Sequence, residues 1–402
     1  MNGRAKLDDE GLTDWLFPNQ SSAQDIYVIG FQEIVELTPM NVATDINGPQ
    51  RTQFWLESIN DCLRKNTREP FICIGVRNLV GILLCVYVRQ SLHHAISDIR
   101  WCSTCVGVMG VMGNKGGVTI RFSLFSTSVC IVCAHLAASR DNIHGRNNDY
   151  RNIMERTLLQ AGPDVEKGVG GSAGGGQERF VMLQQVEKSS QEDRLLTILD
   201  HDIVFWIGDF NYRIDMSLTQ DDIMTLLKHD NLTALRKKDQ LNMERQRGNV
   251  FQGFEEGLLT FAPTYKFQPG TDVYETRAEK KLRPPAWCDR VLWREPHNRG
   301  ADRTVRQTSY RISRLRPSDH KPVGSTFDVQ ARVVDAVKER NVYLKLVRDL
   351  DRMENAVQPR VEIGPTLEFV LSDVCFQVGT SSVRRNDLGG GLGVVWYGTR
   401  FC

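Results

Sequence analysis

The stretch Ile203-Val204-Phe205-Trp206-Ile207-Gly208-Asp209-Phe210-Asn211-Tyr212-Arg213 constrains the fold more than any other part of the chain. Five apolar residues in a row, β-branched and aromatic, predict a strand buried on both faces that runs directly into a glycine, a carboxylate and a carboxamide. Gly208 lets the backbone bend and approach another group closely, so Asp209 and Asn211, two apart, can point the same way at the mouth of a sheet. That pattern fits an active-site edge. It also fits an ordinary strand end closed by an Asx turn.

With 402 residues and 41% apolar content, the chain can bury a large core, as one big domain plus part of another. A net charge of +1 gives no global field for gripping nucleic acid or an acidic membrane, so any basic site must be local. The longest apolar run, Val80 to Val88, is too short to span a bilayer, and Met1 to Glu10 has no signal-peptide core. The expectation is a cytosolic protein. Cys102-x-x-Cys105 and Cys130-x-x-Cys133 imitate a zinc site, but residues 129–133 read as a strand, in which positions three apart face opposite sides. Free, buried thiols in a reducing compartment fit the ten cysteines better.

In chain order, Gly11 to Phe17 predicts a short helix and Asp25 to Phe31 a buried strand ending in Gln32-Glu33. A carboxylate there suits a hard metal, which takes oxygen ligands; it equally suits a surface Glu opening the next helix. Phe54 to Leu63 has helical spacing, and Asn78 to Arg89 predicts another strand. Residues 107–117, Gly107-Val-Met-Gly-Val-Met-Gly-Asn-Lys-Gly-Gly117, read as a phosphate-cradling loop with Lys115 as a point charge, or as a tight hairpin. If exposed, Val108, Met109, Val111 and Met112 suit contact with lipid chains. His135 ends the next strand, the polar run Arg140 to Tyr150 leads into a helix, and residues 162–176 form a glycine-rich flexible insertion. Phe180 to Leu199 and Thr219 to Lys238 predict helices, and Phe251 to Phe261 an extended segment. A dense cluster follows: Ala262-Pro263-Thr264-Tyr265-Lys266-Phe267, Tyr274, Lys281, Arg283, and Pro285-Ala286-Trp287-Cys288-Asp289-Arg290 opening a strand. Ser318-Asp319-His320-Lys321-Pro322 puts an Asp-His pair in a turn before the last strand of the domain, where Asp289 could orient the imidazole toward a reacting oxygen.

Six motifs, Phe31-Gln32-Glu33, Asn114-Lys115-Gly116-Gly117, His135-Leu136-Ala137-Ala138, Trp206-x-Gly208-Asp209-x-Asn211-Tyr212-Arg213, Pro285 to Arg290 and Ser318 to Pro322, stand in the order seen in inositol polyphosphate 5-phosphatases. The chain resembles this family over about residues 2 to 329, and most closely its type II group. The resemblance implies an α/β fold of two stacked mixed β-sheets flanked by helices, shared with deoxyribonuclease I and the endonuclease-exonuclease-phosphatase proteins. It also implies magnesium-dependent hydrolysis of the 5-phosphate of phosphoinositides such as phosphatidylinositol 4,5-bisphosphate, by direct water attack. In that reading Glu33 and Asn2 hold Mg2+ and Asp209 takes a proton from water. Asn211 and His135 bond the phosphoryl oxygens, His320 oriented by Asp289 stabilises the same charge, and Asp319 supports the hydrogen bonding. Tyr274, Lys281 and Arg283 match residues that grip the 4-phosphate; Asn114 and Lys115 match those near the phosphate that links ring to lipid. The implied partners are a phosphoinositide at a membrane surface and small GTPases of the trafficking type, with a cytoplasmic, membrane-peripheral location and no nucleic acid.

Two departures accompany the resemblance. Val111 stands where type II relatives carry a basic residue, and Met1-Asn2-Gly3 matches only the end of an Asn-x-Asn-Gly motif whose upstream strand is missing. The expected organisation is a catalytic domain over residues 1–329, a helical linker over 330–358, and over 359–402 the start of an immunoglobulin-like β domain followed by an unassigned tail. A catalytically impaired fragment or scaffold of the same fold and an endonuclease are the alternative functions.

Overall fold

The computed structural model describes residues 11–18, 23–36, 48–107, 113–160, 195–277, 283–295 and 304–357, with a two-residue strand pair at 384–385 and 395–396. The chain divides into two compact units, Met1–Val334 and Asp335–Cys402.

In the first unit the apolar runs become two packed sheets. A mixed five-stranded sheet is built from β4 (Ile96–Cys105), β5 (Gly116–Leu124), β6 (Thr127–His135), β9 (Ile203–Asp209) and β10 (Asp289–Arg294), in that spatial order. Its parallel pair is β6 and β9. An antiparallel three-stranded sheet holds β1 (Ile26–Phe31), β3 (Ile82–Arg89) and β2 (Phe71–Leu79), with β3 in the middle. A separate hairpin pairs β11 (Val305–Ile312) with β12 (Val323–Val329). Two-residue strands β7 (Leu159–Gln160) and β8 (Leu195–Leu196) pair antiparallel, with Leu159 buried.

Strict alternation explains why these strands read as unbroken apolar runs. Val129, Ile131 and Cys133 of β6, with Phe205 and Ile207 of β9, face Leu84 and Val86 of β3 between the sheets. Cys130, Val132, Ala134, Val204 and Trp206 face outward onto Ile153 of helix α3 (Ile143–Arg156). On the far side, Tyr27, Ile29 and Phe31 of β1 pack under α1 (Thr13–Leu16) and α2 (Gly48–Asn66) through Leu16, Trp55 and Ile59. The result is helix, sheet, sheet, helix, the stacked arrangement expected. Cys130 and Cys133 do face opposite sides, and no candidate metal cluster among the described residues contains a cysteine.

Several local expectations need correction. Asn78 and Leu79 belong to β2, because Val80 and Gly81 turn the chain back into β3. Helix α3 begins inside the polar run, at Ile143, since Asn142 caps it by accepting from Gly145 N. Leu195 to Asp200 forms β8 and a 3-10 turn rather than the end of an α-helix. Phe251 to Phe261 is loop, tied to β10 by the bridge Glu255–Trp293. The helical stretch 219–238 resolves into α4 (Gln220–Lys228) and α5 (Leu232–Lys237), followed by α6 (Gln240–Gln246). Residues 108–112, 162–176, 180–194, Asn2 and Lys281 lie outside the described residues, as do the strands expected after Pro359.

The second unit contains α7 (Ala336–Val357), whose stripe Tyr343, Leu346, Leu350 and Met353 is exposed. No described helix is long and apolar enough to cross a membrane.

Candidate active site

Register carries the sequence motifs to one place. Gly116 of β5 pairs with His135 of β6, His135 with Asp209 of β9, and Asp209 with Asp289 of β10, so one row crosses four strands. His135 and Asp209 continue the inward parity of Cys133 and Ile207, and Asp289, opposite Asp209, shares it. The row lies at the carboxyl ends of the parallel pair, where polar ends of strands meet the gap between the sheets. Fully burying the apolar side chains of Ile203, Val204 and Trp206, at about 1.5–3 kcal/mol each, offsets the cost of holding a carboxylate at the strand end.

Gly208 makes this alignment possible. Its φ is +130°, and a Cβ there would sit 2.1 Å from Ala134 O, so only glycine lets β9 run this close to β6. Gly30 plays the matching part in β1, where a Cβ would meet Cys133 Sγ at 2.7 Å and Ile207 at 3.0 Å. That close approach lets β1 deliver Glu33 from the other sheet.

His135 Nε2 lies 3.4 Å from Asp209 Oδ2 and 3.8 Å from Glu33 Oε1, and Lys115 Nζ is hydrogen-bonded to the same nitrogen. Asn211 donates its backbone N–H to Asp209 Oδ1 (2.9 Å) and its side-chain amide to Asp209 Oδ2 (3.3 Å) and Leu136 O (3.0 Å). Asn211 and Glu33 both take the left-handed backbone, at φ 56° and 55°. Asn tolerates this conformation, whereas Glu is found there rarely, and such strain gathers at functional positions. His320 Nδ1 bonds Asp289 Oδ2 at 2.9 Å, and Thr264 donates to the same oxygen at 2.7 Å.

Electrostatics separate the groups into distinct states. Burial pushes the Asp209 carboxyl up, but the bond from His135 and the charges of His135, His320 and Lys115 outweigh it and hold the group well below the carboxylate range. Burial opposes protonation of His320, yet Asp289 first, then Asp209 and Asp319, raise it to about 9. Burial and Lys115 press His135 downward against the pull of Asp209 and Glu33. The site therefore presents an ionised Asp209 and a protonated His320 at neutral pH.

The remaining expected residues spread around this centre. Asp319 turns toward Lys266 (3.9 Å) and accepts from Ser318 (3.3 Å), one residue from His320. Tyr274 stacks on Phe267 at 4.4 Å and donates its hydroxyl to Pro263 O at 2.7 Å. Arg283 is exposed and donates to the Tyr265 hydroxyl at 2.9 Å. Asn114 and Lys115 sit in the turn before β5.

Sequence reasoning gave no role to three neighbours. Arg213 donates to Asn211 O (3.1 Å) and Oδ1 and lies 4.3 Å over the Tyr265 ring, which in turn packs 4.5 Å from His320. Thr264 holds Asp289. A buried arginine closing the Asp-x-Asn motif was the available signal. Nothing in spacing revealed that Asp149 bonds Ala137 N at 2.8 Å, or that Arg146 holds Ser139 O and Gln240, fixing the loop after His135.

Asp209, Asp289 and His320 each offer a ligand atom within 4.8 Å of the others. Because His320 Nδ1 is already bound to Asp289, this trio is an imidazole held between two carboxylates. Glu33 and Asp209 bring two carboxylates to one His135 nitrogen.

Stacked sheets with this acidic and histidine row at the strand ends define a class. The model of endonuclease/exonuclease/phosphatase family 2 matches residues 1–326, and the chain belongs to this family, in its inositol polyphosphate 5-phosphatase branch. It is 35% identical over 384 residues to the type II inositol 1,4,5-trisphosphate 5-phosphatase of Mus musculus, covering 95% of this chain and 34% of that protein. It is 34% identical to the type IV inositol polyphosphate 5-phosphatase 9 of Arabidopsis thaliana, covering 87% of this chain and 80% of that one. The inositol polyphosphate 5-phosphatase domain of a synaptojanin, solved with inositol (1,4)-bisphosphate and calcium ion, superposes with a TM-score of 0.68 at 30% identity, covering 88% and 90% of the two chains. The chain spans about a third of the length of the mouse relative.

Proposed function

We propose that this protein removes the 5-phosphate from inositol polyphosphates or phosphoinositides such as phosphatidylinositol 4,5-bisphosphate, by direct attack of water. The observation that carries the reading is the single row His135–Asp209–Asp289, with His320 locked on Asp289 and Glu33 arriving from the other sheet.

In this mechanism Asp209 orients water and takes its proton. Its depressed pKa makes it a weak base in the free enzyme, but a phosphate dianion beside it raises that pKa and makes proton transfer easier. Arg213 holds the Asn211 carbonyl side, which turns Nδ2 toward Leu136 O and Asp209; the longer bond, to Asp209, is the one exchanged for a phosphoryl oxygen when substrate binds. Protonated His320 and the imidazole of His135 stabilise negative charge on the phosphoryl oxygens from two sides. Glu33, with Asn2, would hold Mg2+, whose chemistry when bound is to neutralise charge on the scissile phosphate. Lys281, Arg283 and Tyr274 form the 4-phosphate grip, the Tyr274 hydroxyl turning from Pro263 O to donate to a phosphate oxygen, and Asn114 and Lys115 meet the phosphate that links ring to lipid. Asp319 steadies the turn that carries His320.

The same reading places the protein in the cytoplasm, peripheral to a phosphoinositide membrane and in contact with trafficking GTPases. Phosphate release should require Mg2+ with a 4,5-bisphosphorylated inositol substrate and vanish with chelator. Nicking of abasic DNA without phosphate release from the inositol substrate would replace this reading with the endonuclease one.

A further inference from the structure

Tyr265 sits between the two halves of the site. Its backbone is tied to the segment that opens β10, Tyr265 N donating to Ala286 O at 3.2 Å and Ala286 N to Tyr265 O at 2.9 Å. Thr264, one residue earlier, donates its hydroxyl to Asp289 and accepts at its carbonyl from Lys321 N at 2.8 Å, beside His320. The pair Thr264-Tyr265 is therefore anchored both to the strand that carries Asp289 and to the turn that carries His320.

The side chain of Tyr265 is 1% exposed. Its ring packs 4.5 Å from the His320 imidazole, the Arg213 guanidinium lies 4.3 Å over it, and its hydroxyl accepts from Arg283 Nη1 at 2.9 Å. Arg213 in turn grips Asn211, which bonds Asp209. A single buried ring thus touches the imidazole, the arginine behind the Asp209–Asn211 pair, and an arginine that reaches solvent. Burial keeps the Tyr265 hydroxyl protonated against the pull of both arginines, which makes it a neutral acceptor. Among the described residues Arg283 forms no ion pair, so an arriving phosphate displaces no carboxylate from it. A guanidinium carries its donors in a fixed fork: one can stay on the hydroxyl while others take phosphate oxygens in stronger, charge-assisted bonds.

We propose that Tyr265 is a positioning residue that couples recognition of the 4-phosphate to turnover at the 5-phosphate. A phosphate on Arg283 fixes the Tyr265 hydroxyl, the ring fixes the His320 imidazole, and the 4-phosphate is read in kcat as well as in binding. This rests on the phosphatase reading, with Arg283 as a 4-phosphate reader. The bond from His320 Nδ1 to Asp289 holds one end of the imidazole and leaves it free to pivot; the face of Tyr265 removes that freedom. Without a 4-phosphate, Arg283 is an exposed side chain with many rotamers, and the tip of Tyr265 is held only as firmly as Arg283 itself. A displacement of about 1 Å at a reacting group costs as much as roughly 10²-fold in rate. Binding energy from a remote group of the substrate is then spent on orienting the reacting one, so a substrate lacking that group loses kcat and not only affinity.

Tyr265→Phe keeps the ring and deletes only the hydroxyl. With Mg2+ present, kcat for inositol 1,4,5-trisphosphate should exceed kcat for inositol 1,5-bisphosphate by about ten-fold or more in the unaltered protein. Tyr265→Phe should remove most of that kcat ratio while KM for the trisphosphate changes by less than about three-fold, and should do nothing further to the ratio in an Arg283→Ala background. A second readout needs no turnover: saturating inositol 1,4-bisphosphate, which has no 5-phosphate, should shift the His320 carbon resonances in the unaltered protein. It should bind both Tyr265→Phe and Arg283→Ala without shifting them, and the exposed position of Arg283 keeps this test available should Tyr265→Phe fold poorly. An unchanged kcat ratio or an unchanged His320 shift in Tyr265→Phe, or equal losses on the two substrates, overturns the inference while a lowered ratio in Arg283→Ala upholds the 4-phosphate reading. A ratio that Arg283→Ala leaves unaltered, or no phosphate release by the folded protein, overturns that reading and the inference with it.

Discussion

Replacing Asp289 by Asn keeps the shape and one acceptor for His320 Nδ1 but removes the charge that holds this imidazole protonated. His320 stands at about 9, and Asp289 is the largest of the causes that raise it. Burial acts in the opposite direction and is the largest single cause, so without Asp289 the imidazole falls toward the ordinary histidine value of about 6.5. At pH 7.5 a pKa of about 9 leaves roughly 97% of His320 protonated, whereas about 6.5 leaves roughly 9%. If protonated His320 carries transition-state charge, Asp289→Asn should lower kcat about ten-fold at pH 7.5 and much less at pH 6. The sign follows from the raised pKa: the protonated form is complete below the ordinary value and is lost as pH rises through the folded one. Two assays read this, the pH profile of phosphate release and the histidine carbon resonances by NMR. A His320 resonance still titrating near 9 in the variant would refute the electrostatic reasoning; a pH-independent loss of rate would refute its use in catalysis.

Asp209→Asn should reduce turnover by roughly 10²–10⁴-fold while substrate binding, measured by calorimetry, survives; near-normal turnover would remove Asp209 from its role. Lys281→Ala with Arg283→Ala should penalise a 4,5-bisphosphorylated substrate by more than ten-fold over one lacking the 4-phosphate, since charge-assisted contacts contribute about 1.5–3 kcal/mol each. Equal losses on both substrates would show another use for the pair. Gly208→Ala should cost about 3 kcal/mol or more in urea melts because its Cβ meets Ala134 O at 2.1 Å. Gly248→Ala, also at positive φ but with nothing within 4 Å of the Cβ, should cost only about 1 kcal/mol.

Much of this was legible in the sequence, for a definite physical reason. Strands buried on both faces leave continuous apolar runs, so β3, β6 and β9 declared themselves, and the polar residues ending them, His135 and Asp209, were marked by the sudden change of character. Pairing was not legible. That His135 stands level with Asp209, and Asp209 with Asp289, depends on register between strands up to 80 residues apart in the chain, which no local pattern encodes. Polar scaffolding was equally hidden: Arg146, Asp149 and Gln240 read as ordinary polar residues, and the polar run from Arg140 concealed the start of α3 because its buried face is made of hydrogen-bonding side chains. The β2–β3 turn was missed because Val80 carries it at φ 51°, a position where glycine or asparagine would have given warning.

The central claim concerns which bond is cleaved and by what. Inositol 1,4,5-trisphosphate should be incubated with the protein and Mg2+ in water enriched in oxygen-18, and the products followed by phosphorus NMR. The account predicts loss of the 5-phosphate resonance alone, retention of the 1- and 4-phosphates, one labelled oxygen in the released phosphate, and none of this with Asp209→Asn. Release from another ring position, or no release by a folded protein, would contradict it.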